Sequence, residues 1–224
     1  DEASAIAVDA AGDVYVSGNS YSGTNQDIYT AKYAAVDGSL IWEKRYNGPA
    51  NNNDYGKALC LDTNGDVVVT GRSSNGSNDD YYTAKYAGSN GALLWEQRFN
   101  SGGADTPTAI TLDLNGNGLV TGFSQGTYCY TVKYDGASGL PLWEQRLTNA
   151  NQNFDFPIAT DAAGDVIVAA WLYAGGKTDF HTVKLASENG AILASAIYNG
   201  PVNGNDQFFS SRALAVGTLG EIVV

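Results

Sequence analysis

The sequence predicts an all-β protein, a β-propeller built from four-stranded antiparallel blades. Three observations predict it. First, one short motif recurs: Asp13-Val14-Tyr15-Val16-Ser17-Gly18 returns as Asp66–Gly71, as Asn117–Gly122 and as Asp165–Ala170, and Glu221-Ile222-Val223-Val224 begins a fifth copy. The steps between copies are 53, 51, 48 and 56 residues, a period that belongs to propellers and related arrays. Second, each period divides into four apolar segments of strand length. Third, the composition is that of strands and turns, with 27 Gly and 14 Tyr but no Met; Gly supplies the turns and Tyr the pleated surfaces.

The first repeat justifies each element in order. Ala5–Asp9 is a short apolar strand A, closed by the turn Asp9–Asp13, where Gly12 can take a positive φ. Val14–Gly18 is strand B, followed by a polar loop. Ile28–Tyr33 is strand C, and Asp37-Gly38 marks a two-residue hairpin. Leu40–Tyr46 is strand D, and Asn47–Asn53 leads to the next blade. The repeats run approximately 1–53, 54–104, 105–154 and 155–207, with 208–224 part of a fifth. In the fourth, strand D decays to Ala194-Ser195-Ala196-Ile197. An open count of this kind predicts a segment of a longer polypeptide of seven or eight blades.

Closing each hairpin on its X-Gly pair sets Lys32 opposite Glu43, Lys85 opposite Glu96 and Lys133 opposite Glu144. On the other face it sets Tyr33, Tyr86 and Tyr134 against Trp42, Trp95 and Trp143. Recurrence in every intact blade makes these structural pairs, with the tryptophans filling the wedge between blades. His181 stands in the column of Tyr29, Tyr82 and Tyr130 and reads as packing. Cys60 and Cys129 fall in different strand types and read as small buried thiols.

The net charge of −12 and the absence of any basic run exclude a phosphate-neutralising nucleic-acid surface. No apolar stretch reaches the roughly 18–20 residues of a membrane helix.

The segment Asp54-x-x-x-Ala58-Leu59-x-Leu61-Asp62-x-x-Gly65-Asp66-Val67-x-Val69-Thr70-Gly71 resembles the bacterial propeller repeat known as the SBBP repeat. Asp1–Gly18 and Asp105–Gly122 follow the same pattern, whereas the fourth copy departs from it at Pro157 and Ala169-Ala170. That resemblance implies a secreted or surface-attached bacterial protein, with the periplasm as the alternative. The G-x-x-x-W runs ending at Trp42, Trp95 and Trp143 are similar to the tryptophan-docking repeat of quinoprotein-like propellers. The neighbouring-cysteine disulfide of quinoprotein dehydrogenases has no counterpart here, because Cys60 and Cys129 are 69 positions apart. The resemblance therefore implies packing and no quinone.

Alternating strands place the A–B and C–D turns at one end of the propeller and the longer, dissimilar B–C and D–A loops at the other. Binding is expected on the latter, through Tyr21, Arg72, Trp171 and Tyr173, with Asp54, Asp105 and Asp155 beside them and Asn151, Asn203 and Asp206 in the same loops. Asp1, Asp54 and Asp105 occupy matching positions, and two readings stand: a cation-binding ring, or caps on loop N–H groups. Asp113-x-Asn115-x-Asn117-Gly118 resembles the start of a calcium loop but coincides with an A–B turn. Calcium is the one cofactor left open. The leading expectation is a non-enzymatic extracellular binding or assembly module for a protein or glycan. The alternatives are a lyase or hydrolase cleaving polysaccharide with the loop carboxylates, and a purely structural protein that self-associates.

Overall fold

The computed structural model describes residues 1–150, 155–174, 177–199, 201, 214–216 and 222–223. Among them there is no helix. Four antiparallel four-stranded sheets form the blades. Blade 1 comprises β1 (Glu2–Val8), β2 (Val14–Tyr21), β3 (Gln26–Tyr33) and β4 (Leu40–Tyr46). Blade 2 comprises β5 (Asp54–Leu61), β6 (Val67–Ser74), β7 (Asp79–Tyr86) and β8 (Leu93–Phe99). Blade 3 comprises β9 (Asp105–Leu112), β10 (Gly118–Ser124), β11 (Tyr128–Tyr134) and β12 (Pro141–Thr148). Blade 4 comprises β13 (Ile158–Thr160), β14 (Val166–Ala174), β15 (Lys177–Leu185) and β16 (Ile192–Tyr198). The fifth copy contributes the short pair β17 (Ala215–Val216) and β18 (Ile222–Val223).

The core is divided among the junctions between blades. Tyr15, Ile28 and Trp42 meet Val67, Val69 and Tyr82; Val68, Tyr81 and Trp95 meet Val120, Tyr130 and Val132; Leu119, Trp143 and Leu147 meet Val166, Val168 and Val183. Blade 2 thus has apolar neighbours on both sides, with Val67 and Val69 facing one and Val68 the other. A strand buried on both faces reads as a continuous apolar run without alternation.

The hairpin register differs from that expected. The C–D loop closes with Ala34 N donating to Ser39 O and Gly38 N to Ala34 O, each at 2.9 Å, and the same pair of bonds recurs in the other three blades. The loop therefore holds four residues rather than two. A bulge follows it, so Lys32 lies opposite Trp42 and Ala31 opposite Glu43. Blades 2 and 3 repeat the shift, with Lys85 opposite Trp95 and Lys133 opposite Trp143. The expected pairs Lys32–Glu43, Lys85–Glu96 and Lys133–Glu144 are not formed, nor are the Tyr–Trp pairs beside them. A one-residue change of register moves every side chain to the other face.

The lysine consequently shares a face with the tryptophan, and both reach the next blade. Trp42 Nε1 donates to Gly88 O at 3.1 Å, Trp95 Nε1 to Gly136 O at 3.2 Å and Trp143 Nε1 to Ser187 O at 3.0 Å. Lys32, Lys85 and Lys133 donate to the same three carbonyls at 3.3, 3.0 and 2.8 Å. Each lysine also pairs with the aspartate that opens its own A–B turn: Lys32 with Asp9 at 3.0 Å, Lys85 with Asp62 at 2.8 Å and Lys133 with Asp113 at 2.7 Å. Lys184 repeats the pairing with Asp161 at 2.7 Å. The glutamates turn to the opposite face, where Glu43 accepts from Tyr29 Oη at 2.7 Å and Glu96 from Tyr82 Oη at 3.0 Å.

Glycine carries two duties at the hairpin. Gly91, Gly139 and Gly190 hold φ of 68°, 73° and 70°, and a Cβ at any of them would press on the ring of Trp42, Trp95 or Trp143. Gly38 has the same φ class, at 71°, but open space around it. In strand B, a Cβ at Gly18, Gly71 or Gly122 would collide with the backbone of strand A. Blade 4 has Ala170 at that position, and Pro157 stands where the other blades carry Ala5, Ala58 and Ala109, its O accepting from Ala169 N at 3.1 Å. Its strand A, β13, comprises three residues.

Two outcomes follow. Gly38→Ala bears only the cost of a left-handed alanine, about 1–3 kcal/mol, whereas Gly139→Ala adds overpacking against Trp95 of about 1–3 kcal/mol. Urea unfolding of both variants should show the larger loss for Gly139→Ala. The second concerns acid. Burial raises the Asp62 and Asp113 carboxyls, but hydrogen bonds from Lys85 or Lys133 and from turn N–H groups outweigh it and hold both below the ordinary value. Their contribution is complete above the unfolded value of about 3.9 and is lost as pH falls through the lower folded values. Melting temperature should therefore drop steeply below about pH 4, and a flat profile down to pH 2 would contradict these pairs.

Candidate functional site

The B–C and D–A loops meet at the end of the propeller opposite the Lys–Asp pairs. Their backbone is held by aspartates at the start of strand A. Asp54 is fully buried, accepting from Gly48 N at 2.6 Å and Ser74 N at 3.0 Å. Burial raises its pKa, and hydrogen bonds from Ser73, Gly48 and Ser74 only partly offset this. Asp105 is also buried and accepts from Ser101 N at 2.8 Å and Ser101 Oγ at 2.6 Å. Asp1 accepts from Tyr21 N at 2.8 Å. This spacing of carboxylates serves loops that must turn back between blades with their N–H groups satisfied.

Arg98 ties blade 2 to blade 1 beneath these loops. It donates to Asp80 Oδ2 at 2.8 Å, to Ser73 Oγ at 2.6 Å and to Tyr46 Oη at 2.8 Å, while the Tyr46 ring stacks on Tyr82 at 3.6 Å. Phe99 stacks on Tyr130 in the same way at 3.9 Å.

Of the residues expected to bind, Tyr21 and Tyr173 are displayed, at 57% and 56% exposure. Asp155 is exposed. Arg72 lies at the surface with Nη1 3.1 Å from Asp79 and its guanidinium 4.4 Å from the centre of the Tyr55 ring. Trp171 is a correction: it is fully buried and packs edge-on to Phe180 at 5.3 Å. Its place in strand B, between two apolar neighbours, turns it into the junction of blades 3 and 4 and away from solvent. Asp54 and Asp105 lie beneath the surface rather than on it. Asn151, Asn203 and Asp206 lie outside the described residues.

A polar cleft of about 490 Å³ opens between the B–C loops of blades 1 and 2, lined by Thr24, Asn25, Asn51, Asn52, Asn53, Tyr55, Ser74 and Asp79. Tyr55 and Asp79 were not legible as site residues: by pattern Tyr55 lies ahead of strand A and Asp79 in the polar B–C loop, and the structure extends β5 and β7 to include them. The run Asn51-Asn52-Asn53 was the available signal.

Elsewhere, Asp113 is spent on its turn, accepting from Lys133, from Asn115 N at 2.8 Å and from Asn117 N at 2.9 Å. Among the described residues no cluster of three or more His, Cys, Asp or Glu side chains is placed to hold a metal. Cys60 and Cys129 are free thiols, pushed by burial up to about 12. His181 faces Ala170 in the column expected from sequence, and burial lowers its pKa.

Loop anchoring and surface display separate under mutation. Asp54→Ala leaves two buried N–H groups unpaired and should cost at least about 1–3 kcal/mol. Arg72→Ala removes a partly exposed pair and should cost no more than about 1 kcal/mol. Equal losses in chemical unfolding would contradict this division.

The family model described as outer membrane protein assembly factor BamB matches residues 3–218. Among solved structures, BamB from Moraxella catarrhalis superposes with a TM-score of 0.54 at 19% identity, covering 85% of this chain and 47% of that one. Quinohemoprotein alcohol dehydrogenase from Comamonas testosteroni gives 0.58 at 14% identity, covering 84% and 34%. The related enzyme ADHIIG from Pseudomonas putida HK5 gives 0.63 at 13%, covering 96% and 36%. The chain thus spans between about a third and a half of the length of these structures. Similarity at this level of identity establishes the propeller fold alone. No curated protein gives a significant match. With four successive blades and a family match over nearly all of its length, this chain belongs to the family of the outer membrane protein assembly factor BamB.

Proposed function

We propose that this chain is a non-catalytic binding or assembly module of the bacterial cell envelope, and that its B–C and D–A loop face contacts a protein partner. The observation that carries the reading is membership of a family described by an assembly factor. The architecture supports it physically. Dissimilar loops stand on blades locked by buried Lys–Asp pairs and tryptophans, so the face is presented without the ordering cost of a mobile surface. Tyr21 and Tyr173 are large aromatic side chains that it displays, a residue type enriched at interface centres. The SBBP-type resemblance extends the reading to a secreted or surface-attached protein. The polysaccharide-cleaving alternative depends on Asp54 and Asp105, whose oxygens are occupied by loop N–H and hydroxyl groups.

Site-specific photo-crosslinking in intact envelopes tests the proposal. A benzophenone side chain at Tyr21 or Tyr173 should yield a discrete protein adduct. The same group at Val36 or Leu114, exposed on the opposite end, should not. Adducts confined to Val36 and Leu114, or none at any of the four positions, would refute the assignment.

A further inference from the structure

We propose that the cleft between blades 1 and 2 is a binding site for a neutral oligosaccharide. This goes beyond the protein-partner reading and does not depend on it.

The cleft's volume of about 490 Å³ lies within the range of small-ligand sites, and its chemistry is that of hydroxyl recognition. Three successive amides form its floor, and internal bonds decide which end two of them offer. Asn53 Oδ1 accepts from Gln26 N at 2.9 Å, and Asn51 Oδ1 accepts from Asn47 Nδ2 at 2.6 Å. Each therefore keeps its NH₂ group as a donor. Among the described residues the Asn52 side chain makes no hydrogen bond, only its backbone O accepting from Asn25, and it offers both a donor and an acceptor. Opposite them, Asp79 gives one oxygen to Arg72 and keeps the other as an acceptor. Donors and acceptors at neighbouring points match the adjacent hydroxyls of a pyranose, which both give and accept hydrogen bonds. Tyr55 supplies the remaining element. It lines the cleft, half-buried, with Arg72 over one face of its ring at 4.4 Å, and a sugar's C–H surface can lie against the part of the side chain left open to the cleft.

Charge selects the ligand further. The cleft's one carboxylate is paired with Arg72, so the lining is close to neutral. The chain as a whole carries −12, which disfavours uronic-acid and other polyanionic glycans.

The amide floor is not a requirement of blade packing. At the junction of blades 2 and 3 the matching loop is Asn100-Ser101-Gly102-Gly103. There Gln125 reaches in, donating to Ser101 O at 2.7 Å and lying against Gly103. That junction closes on itself; the one between blades 1 and 2 does not.

Isothermal titration of the 224-residue chain with cellohexaose, maltohexaose and chitohexaose tests the proposal. Saturable binding of at least one is expected, weakened about tenfold or more by Asn52→Ala and by Tyr55→Ala. Val36→Ala, exposed at the opposite end of the propeller, should leave the affinity within about twofold. Asn52→Ala removes no internal hydrogen bond, so it decides the matter even where Tyr55→Ala perturbs folding. Failure of all three sugars to bind, or binding indifferent to Asn52→Ala, would overturn the site. Neither result bears on cross-linking at Tyr21 and Tyr173, so the two proposals fail separately.

Discussion

Every junction between successive intact blades rests on one construction. A tryptophan from the outer strand reaches across to a single backbone carbonyl in the next blade's hairpin, and a lysine from the adjoining strand donates to the same oxygen. The carbonyl is held for them: Gly88 N and Gly136 N donate to Asp66 and Asn117 of their own A–B turns, each at 3.0 Å. The hairpin glycine beneath the indole has no side chain because the ring occupies that space. Turn, lysine, tryptophan and glycine are therefore one constraint distributed over two blades, which is why they recur together.

Burying a lysine so deeply is costly unless its charge is met. Here it is met by the aspartate that also caps its own A–B turn, so one carboxylate shapes a turn and neutralises a cation. The arrangement concentrates charge at one end of the propeller and spends it there. At the opposite end the carboxylates of Asp54 and Asp105 hold loop N–H groups instead. Among the described residues, that surface also presents amides, hydroxyls, Tyr21 and Tyr173, the exposed carboxylate of Asp155 and the Arg72–Asp79 pair.

The fourth blade shows how local changes travel. Ala194 stands where the other blades carry tryptophan, and all seven residues of its outer strand are exposed. Its inner strand is three residues long, and Ala170 and Pro157 stand where the other blades carry glycine and alanine. The strand order of the blade is unchanged by these departures.

Sequence alone determined the blade count within this segment, the order of the strands, which end carries the variable loops and which residues recur as packing. These are periodic properties, and periodicity survives in one dimension. The register of the outer hairpin did not survive. Asp37-Gly38 reads as a two-residue turn, and only the folded backbone shows a four-residue loop followed by a bulge, which moves Lys32 from Glu43 to Asp9. Trp171 was misplaced for a related reason: strand B is buried on both faces, so nothing in its pattern distinguishes a core indole from a displayed one. The cleft was the least legible feature. Its walls come from segments about 25 to 55 residues apart in sequence, and nothing in the repeat pattern singles out Tyr55 or Asp79. Only the packing of blade 1 on blade 2 brings them to the Asn51–Asn53 floor, because a site between repeats is a property of their junction and not of either repeat.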